Sequence, residues 1–358
     1  MRPSAVFRAV TTEEFADRVL RSALGTVELL TIHLGDRMGW YRALADGGPA
    51  TPAELVARAG GAERYAREWL EQQAAYGILT VTDGRFALPP GAAEVLTDTA
   101  SRDYLAPLAR MLAAAAVQLP ALLDAYRTGG GVPWGRYGAD MRESQADMNR
   151  PWFEGALAGA LAGVPDLDAV LRRPGARIAD IGCGAGWSTI ALARAYPSAR
   201  VAGFDVDPPS VELATANARA AGVAGRAVFQ VADAAGLPAD AGFDAAFAFE
   251  CVHDMPYPVA VLAAVRAAVR PGGPVVVMDE AVGDAFTAPA GDTERLMYGF
   301  STLICLPDGM AHENSAGTGT VMRPGTLRGY ARAAGFRDVE VLPIDDFGFW
   351  RFYRLTDG

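Results

Sequence analysis

Lysine is missing from this sequence altogether. The 358 residues include 32 of the Lys or Arg type, and every one is arginine. This excludes a lysine Schiff base, a Ser-x-x-Lys nucleophile and the lysine of a phosphate-binding P-loop. Histidine is scarce, with His33, His253 and His312 alone in the chain. Cysteine is as rare. Cys183, Cys251 and Cys305 lie far apart, without CxxC or zinc-type spacing. Neither a disulfide framework nor a metal site is expected, and a reducing, cytoplasmic compartment fits. Apolar runs such as residues 111–117 are far too short to span a bilayer. The opening MRPSAVFRAVTTEEF has no apolar core segment, so neither a signal peptide nor membrane association is expected. A basic excess is lacking too. The formal net charge is −10, which repels nucleic acid unless a local basic face overrides it.

What is present fits a globular protein of two domains or more. The first third reads as helices followed by a hairpin. Helical patterns cover residues 13–24, 27–45 and 62–76, and Thr51-Pro52 is a cap followed by proline at the first helical position. Tyr65, Trp69 and Tyr76 recur at helical spacing on one face. Two short β patterns, residues 78–82 and 85–88, are joined by Asp83-Gly84, the signature of a primed hairpin turn. Three helices and a hairpin are the order of a winged helix. Between Thr51 and Pro90, however, five acids stand against four arginines, whereas a recognition helix normally carries a basic excess. Dimerisation or a substrate-pocket role is expected there instead of DNA binding. Residues 99–172 read as alanine-rich connector helices, broken at Gly129-Gly130-Gly131. Their aromatics Trp134, Tyr137, Trp152 and Phe153 are candidates for core or ligand contact.

From residue 176 onward, strand and helix patterns alternate. Strand candidates are residues 177–181, 200–204, 227–231, 245–252 and 274–278, and two more β patterns close the chain at 339–343 and 347–355. This rhythm predicts a parallel, doubly wound α/β sheet with an antiparallel edge pair. The first strand runs into Asp180-Ile181-Gly182-Cys183-Gly184-Ala185-Gly186-Trp187. A dinucleotide fingerprint would need glycine where Trp187 stands. Glycines let a backbone approach a ligand closely. Asp180, just ahead of them, suits an ammonium group. Asp205, nineteen residues past Gly186, suits both hydroxyls of a ribose. Asp233, ending the third strand pattern, suits an adenine amino group. Ammonium, ribose and adenine together describe S-adenosylmethionine.

With these motifs the sequence resembles the class I S-adenosylmethionine-dependent methyltransferases. The ADIGCGAG turn, the GFDVD and VADA segments and Arg270-Pro271-Gly272-Gly273 fall in that family's order. The start of the chain extends the likeness to bacterial winged-helix relatives of plant-type small-molecule O-methyltransferases. The resemblance implies a Rossmann-like doubly wound seven-stranded sheet with an N-terminal winged-helix domain. The implied division is 1–98 winged helix, 99–172 helical connector and 173–358 methyltransferase domain. It also implies a homodimer acting on a small molecule of secondary metabolism. By the same likeness Asp180, Gly182 and Gly184 lie at the methionine part of the cofactor, Asp205 and Val206 at the ribose, Asp233 and Ala234 at the adenine, with Phe249 also lining it. Asp207-Pro208-Pro209 is a decoy. It resembles the acid-Pro-Pro-aromatic motif of adenine-modifying enzymes, but follows the second strand and continues into Ser210.

His253 follows directly on the fourth strand pattern. In open α/β sheets ligands bind beyond the carboxyl ends of strands, and adjacent strand ends lie about 5 Å apart. Glu280, ending the fifth strand pattern behind Asp279, is then placed to hold one imidazole nitrogen. The other would take the proton of a hydroxyl acceptor, a role for which the pKa of histidine suits it. In plant-type O-methyltransferases a His-Asp pair, supported by a later glutamate, does this. His253, Asp254 and Glu280 match, although Met255 replaces the family's usual tryptophan. The expectation is methyl transfer to a small, aromatic hydroxylated acceptor. C- or N-methylation on the same scaffold, or a winged-helix regulator that senses the cofactor, are the alternatives. Residues 281–322, with Tyr298, Phe300, Cys305 and Met310, are expected to fold over the substrate.

Overall fold

The computed structural model describes residues 10–357. The chain forms two compact units, one up to Ala113 and one from Ala114 onward.

In the first unit, helix Thr12–Arg37 is continuous across Gly25, correcting the expected break there. Gly25 has nothing near its α-carbon to pack against, and a mid-helix glycine costs about 1 kcal/mol, which twenty-six residues of helix absorb. The chain turns instead at Gly39, whose φ of +67° opens helix Trp40–Gly47. Thr51 and Glu54 cap helix Pro52–Ala59 reciprocally, as a capping box does. Helix Glu63–Ala75 follows. Its buried face is Ala66, Trp69, Leu70 and Gln73, whereas Tyr65 is exposed. Trp69 packs against Trp40 and Tyr41, each with centroids 5.0 Å away. The hairpin is β1 (Thr80–Thr82) and β2 (Arg85–Ala87). Asp83 and Gly84 both have positive φ, the geometry of the type I′ turn that Asp-Gly favours. On helix Glu63–Ala75, Arg64 and Arg67 pair with Glu68 and Glu63 of the same helix, so it presents no uncompensated basic row from these two residues.

The second unit is built on seven strands: β3 (Arg177–Ile181), β4 (Arg200–Asp205), β5 (Ala227–Val231), β6 (Ala245–Phe249), β7 (Val275–Glu280), β8 (Asp338–Val341) and β9 (Trp350–Thr356). Their order is β5-β4-β3-β6-β7-β9-β8. The first five are parallel, and β9 runs antiparallel between β7 and β8. Alternation along β6 divides the core. Ala245, Phe247 and Phe249 face one hydrophobic layer, and Ala246 and Ala248 the other, as a strand buried on both faces requires. β6 stops at Phe249, three residues before the expected end. Glu250 takes φ +53°, which turns the chain out of the sheet while its amide still donates to the Met278 carbonyl at 2.7 Å. Strand order reverses between β3 and β6, the switch point where doubly wound sheets open a crevice. No single helix among the described residues is long and apolar enough to cross a membrane.

Candidate active site

The crevice at the β3–β6 switch point is a cleft lined by Trp134, Asn149, Phe153, Gly182, Gly184, Phe249 and Glu250, among others. It is open to solvent on one side. Gly182, Gly184 and Gly186 all have positive φ. A β-carbon on Gly182 would lie 2.7 Å from that of Cys251, and one on Gly186 would lie 2.8 Å from Ala214 and Phe229. At Gly184 nothing lies within 4 Å. That bare position leaves room for a ligand to lie against the backbone. Trp187 opens the following helix with Arg150 stacked 4.0 Å over its ring.

The expected cofactor residues fall into two groups. Gly182, Gly184 and Phe249 line the cleft. Asp205 ends β4, and its carboxylate accepts the amides of Gly184 (2.8 Å) and Asp207 (2.9 Å). It thereby braces the glycine turn and sits against it. Val206 is exposed and Ala234 buried. Asp233 accepts from the Ala235 amide at 2.9 Å, capping a short helical turn. Asp180 lies elsewhere than its proposed role requires. Its side chain is fully buried and accepts the hydroxyls of Ser188, at 2.6 Å, and Thr189. Burial pushes its carboxyl up to about 6, against the pull of those two hydroxyls. The acid that does line the cleft beside the glycine turn is Glu250. It accepts from Gln145 at 3.1 Å and from Asn149, and burial raises it to about 7 although His253 pulls the other way. Gln145 and Asn149 stand on helix Gly138–Trp152, more than a hundred residues upstream, and no local sequence signal announces them. Of the connector aromatics, Trp134 and Phe153 line the cleft. Trp152 packs on Phe347 and Trp350, and Tyr137 donates to the Leu303 carbonyl. Asp207, the decoy, accepts from the Ser210 amide as a helix cap and pairs with Arg142.

His253 lies three residues past the Glu250 turn, with its side chain 2% exposed. Its Nδ1 stands 2.9 Å from Asp279 Oδ1 and 3.2 Å from Glu280 Oε2. Both acids end β7, and β6 and β7 are parallel neighbours. The nearer partner is therefore Asp279, which sequence reasoning passed over in favour of Glu280. Asp279 Oδ1 also accepts the Glu280 amide at 3.1 Å. On the other side, Nε2 stands 3.3 Å from Asp254 Oδ1, whose side chain is one-third exposed. Burial would lower the imidazole pKa, but Asp254, Asp279 and Glu280 outweigh it and hold the ring well above its usual value. Burial works to raise Asp279, yet His253 and hydrogen bonding bring it below the carboxylate range. Glu280 is pushed well up, first by burial and then by Asp279. The cluster thus favours the charged form of His253 and of Asp279 and the neutral form of Glu280.

The loop after β7 brings a further residue into this neighbourhood. Cys305, at the end of a π-helical turn over Ser301–Cys305, lies with its thiol beside Asp254 and His253. Asp308 accepts from the Trp134 amide at 2.7 Å and is raised by burial to about 7. Phe300 packs into the interior, Tyr298 receives Arg323 and Met310 is exposed.

Comparison with known proteins agrees with this fold. Residues 178–273 match a family described as a methyltransferase domain, and residues 26–98 one described as an Rv2258c-like winged HTH domain. The chain is 35% identical over 170 residues to 27-O-demethylrifamycin SV methyltransferase of Amycolatopsis mediterranei, a match covering 45% of this chain but 58% of that one. It is 31% identical over 281 residues to 3-hydroxy-5-methyl-1-naphthoate 3-O-methyltransferase of Streptomyces sahachiroi, covering 75% of this chain and 78% of the relative. The crystal structure of human N-acetylserotonin methyltransferase in complex with SAM superposes with a TM-score of 0.70 at 18% identity, covering 97% and 99% of the two chains. Sequence likeness that runs through three quarters of a named relative, on a sheet of this order with its glycine turn at the switch point, places the chain in the class I S-adenosylmethionine-dependent methyltransferases that carry an N-terminal winged-helix domain.

Proposed function

We propose that the protein moves a methyl group from S-adenosylmethionine to a hydroxyl of a small aromatic metabolite, with His253 as general base. The observation that carries this is the position of the imidazole: beyond β6 and anchored at Nδ1 by Asp279 and Glu280. The cofactor, when bound, supplies an activated methyl on a cationic sulfur. The chain's part is to align and desolvate the reactants. Gly182 and Gly184 offer bare backbone to the cofactor, Phe249 an apolar wall, and Asp205 and Asp233 acceptors at the two strand ends beyond. Glu250 offers a carboxylate to its positive charge. On His253, Nδ1 stays on Asp279 while Nε2 receives the acceptor's proton. The surrounding acids favour the protonated imidazole, so Nε2 is free for the acceptor's proton only once it has given up its own. Asp254, one-third exposed, is the route to water. A cation in the adjoining cleft also lowers the imidazole pKa.

The substrate class rests on the relatives, whose names describe methylation of a naphthoate hydroxyl and of a demethylrifamycin oxygen. The test is transfer of labelled methyl to a panel of hydroxylated aromatic acids. His253→Gln should lower kcat/KM about 10²–10⁴-fold while leaving the affinity for the demethylated cofactor unchanged. Undiminished turnover in the variant would remove the base and favour C- or N-methylation.

We also read the protein as a cytoplasmic homodimer. Helix Thr12–Arg37 exposes Phe15, Val19, Leu20, Leu24, Val27 and Leu34, an apolar stripe of the kind a second copy covers.

A further inference from the structure

We infer that His253 Nε2, Asp254 and the Cys305 thiol form a binding site for one thiophilic divalent cation of the zinc class, and that this cation competes with the acceptor hydroxyl for Nε2. The three donor atoms lie within 4.8 Å of one another. The 3.3 Å between Nε2 and Asp254 Oδ1 already matches the separation of about 3.4 Å between two ligands on tetrahedral zinc with bonds of roughly 2.1 Å. A second donor set, His253 with Asp279 and Glu280, shares the same ring. There Nδ1 and Asp279 are hydrogen-bonded at 2.9 Å. That contact serves the first set. A carboxylate on the far nitrogen fixes the tautomer and presents the other nitrogen to a metal, the usual outer support of a histidine ligand. Three protein ligands and an open fourth position are the pattern of a reactive rather than a structural zinc site.

One observation independent of the donors points the same way. Thr320, 1% exposed, reaches toward the Cys305 thiol, and its hydroxyl finds no hydrogen-bond partner of ordinary geometry. It is placed to donate to a thiolate. On binding, the metal replaces the proton at Nε2 and displaces the thiol proton of Cys305 to solvent. No electrons are exchanged. The lone pair a base would use is then occupied, so the loaded protein is inhibited.

The inference rests on the methyl-transfer reading in its consequence but not in the site itself, and the experiment separates the two. Chelator-treated, full-length protein is titrated with Co²⁺ in the absence of cofactor and substrate. The expected result is one equivalent bound, with a thiolate-to-cobalt charge-transfer band and the intense visible bands of tetrahedral cobalt. Cys305→Ser should lose the charge-transfer band while Cys251→Ser and Cys183→Ser retain it. Asp279→Asn should weaken cobalt binding roughly 10–100-fold. Thermal melts of each variant confirm that it is folded, and Cys305→Ala serves if the serine variant is not. Absence of the band, or its persistence in a folded Cys305 variant, overturns the site. In a second arm Zn²⁺ at one equivalent should abolish methyl transfer, and chelator should restore it. Full turnover with the site loaded overturns the competition for Nε2. If metal-free protein transfers no methyl to any acceptor while the cobalt spectrum stands, the methyl-transfer reading has failed and the site has not.

Discussion

Replacing Asp180 with asparagine should remove a pH dependence from the stability of the second unit. The buried carboxyl rises from 3.8 to about 6 in the folded protein. The sign follows from that direction. Between these values the native state holds a proton that the unfolded chain has released, so stability falls as pH rises through the window and levels off above it. A shift of about 2 units corresponds to roughly 3 kcal/mol, the cost of ionised Asp180 at neutral pH. Asparagine keeps an oxygen for Ser188 and Thr189, but its amide replaces an oxygen that has no partner in the fold. That unsatisfied group costs about 1–3 kcal/mol at every pH. The offset is constant; the slope is the signal. The assay is urea unfolding of both proteins from pH 4.5 to pH 8, followed by hydrogen exchange along β3, at low concentration because the isoelectric point is near 4.9. The difference between variant and wild type should move in favour of the variant by about 2 kcal/mol across that range. A difference that stays constant with pH would refute the neutral, buried carboxyl.

Asp279→Asn should lower kcat/KM by more than Glu280→Gln, up to the full 10²–10⁴ contributed by the base; the reverse ranking in single-turnover assays would restore Glu280 as the main anchor. Gly186→Ala meets both a positive φ and contacts at 2.8 Å, so a thermal melt should drop by about 5–15 °C. Gly184→Ala meets no atom; calorimetry should show weaker cofactor binding, with a smaller loss of melting temperature than at Gly186. Leu20→Arg combined with Leu24→Arg should halve the mass measured by light scattering, and an unchanged mass would place the dimer contact elsewhere.

The parts of this fold legible in the sequence are those whose cause is local. The short apolar runs of β3, β4 and β5, set between helical patterns, mark their spans to within a residue. Asp83-Gly84 announced its turn because few other pairs tolerate two positive φ values. Where expectation and structure part, the cause is distant. β6 was read through to Val252 because Glu250 and Cys251 look like strand continuing into His253. The chain leaves the sheet at Glu250, where φ is +53° and the carboxylate is held by Gln145 and Asn149; nothing in residues 245–252 encodes those partners. Asp180 precedes the glycines and so looked like a ligand to an ammonium. Strand alternation and the first turn of the next helix direct it inward, to Ser188 and Thr189.

The same reasoning explains why the acid–histidine cluster was half seen. Rarity marked His253, and adjacency of β6 and β7 follows from the order of the elements. The choice between Asp279 and Glu280 does not, because consecutive residues in a strand point to opposite faces and sequence alone does not fix which face the imidazole approaches. Here it approaches Asp279, and the end of β7 brings Glu280 within 3.2 Å as well. Cys305 and Thr320 arrive from the long segment after β7, where neither period nor cap gives a register. Residues with the least sequence signal therefore surround the histidine with the most, and the charge state of that histidine is set by acids it could not have been paired with in advance.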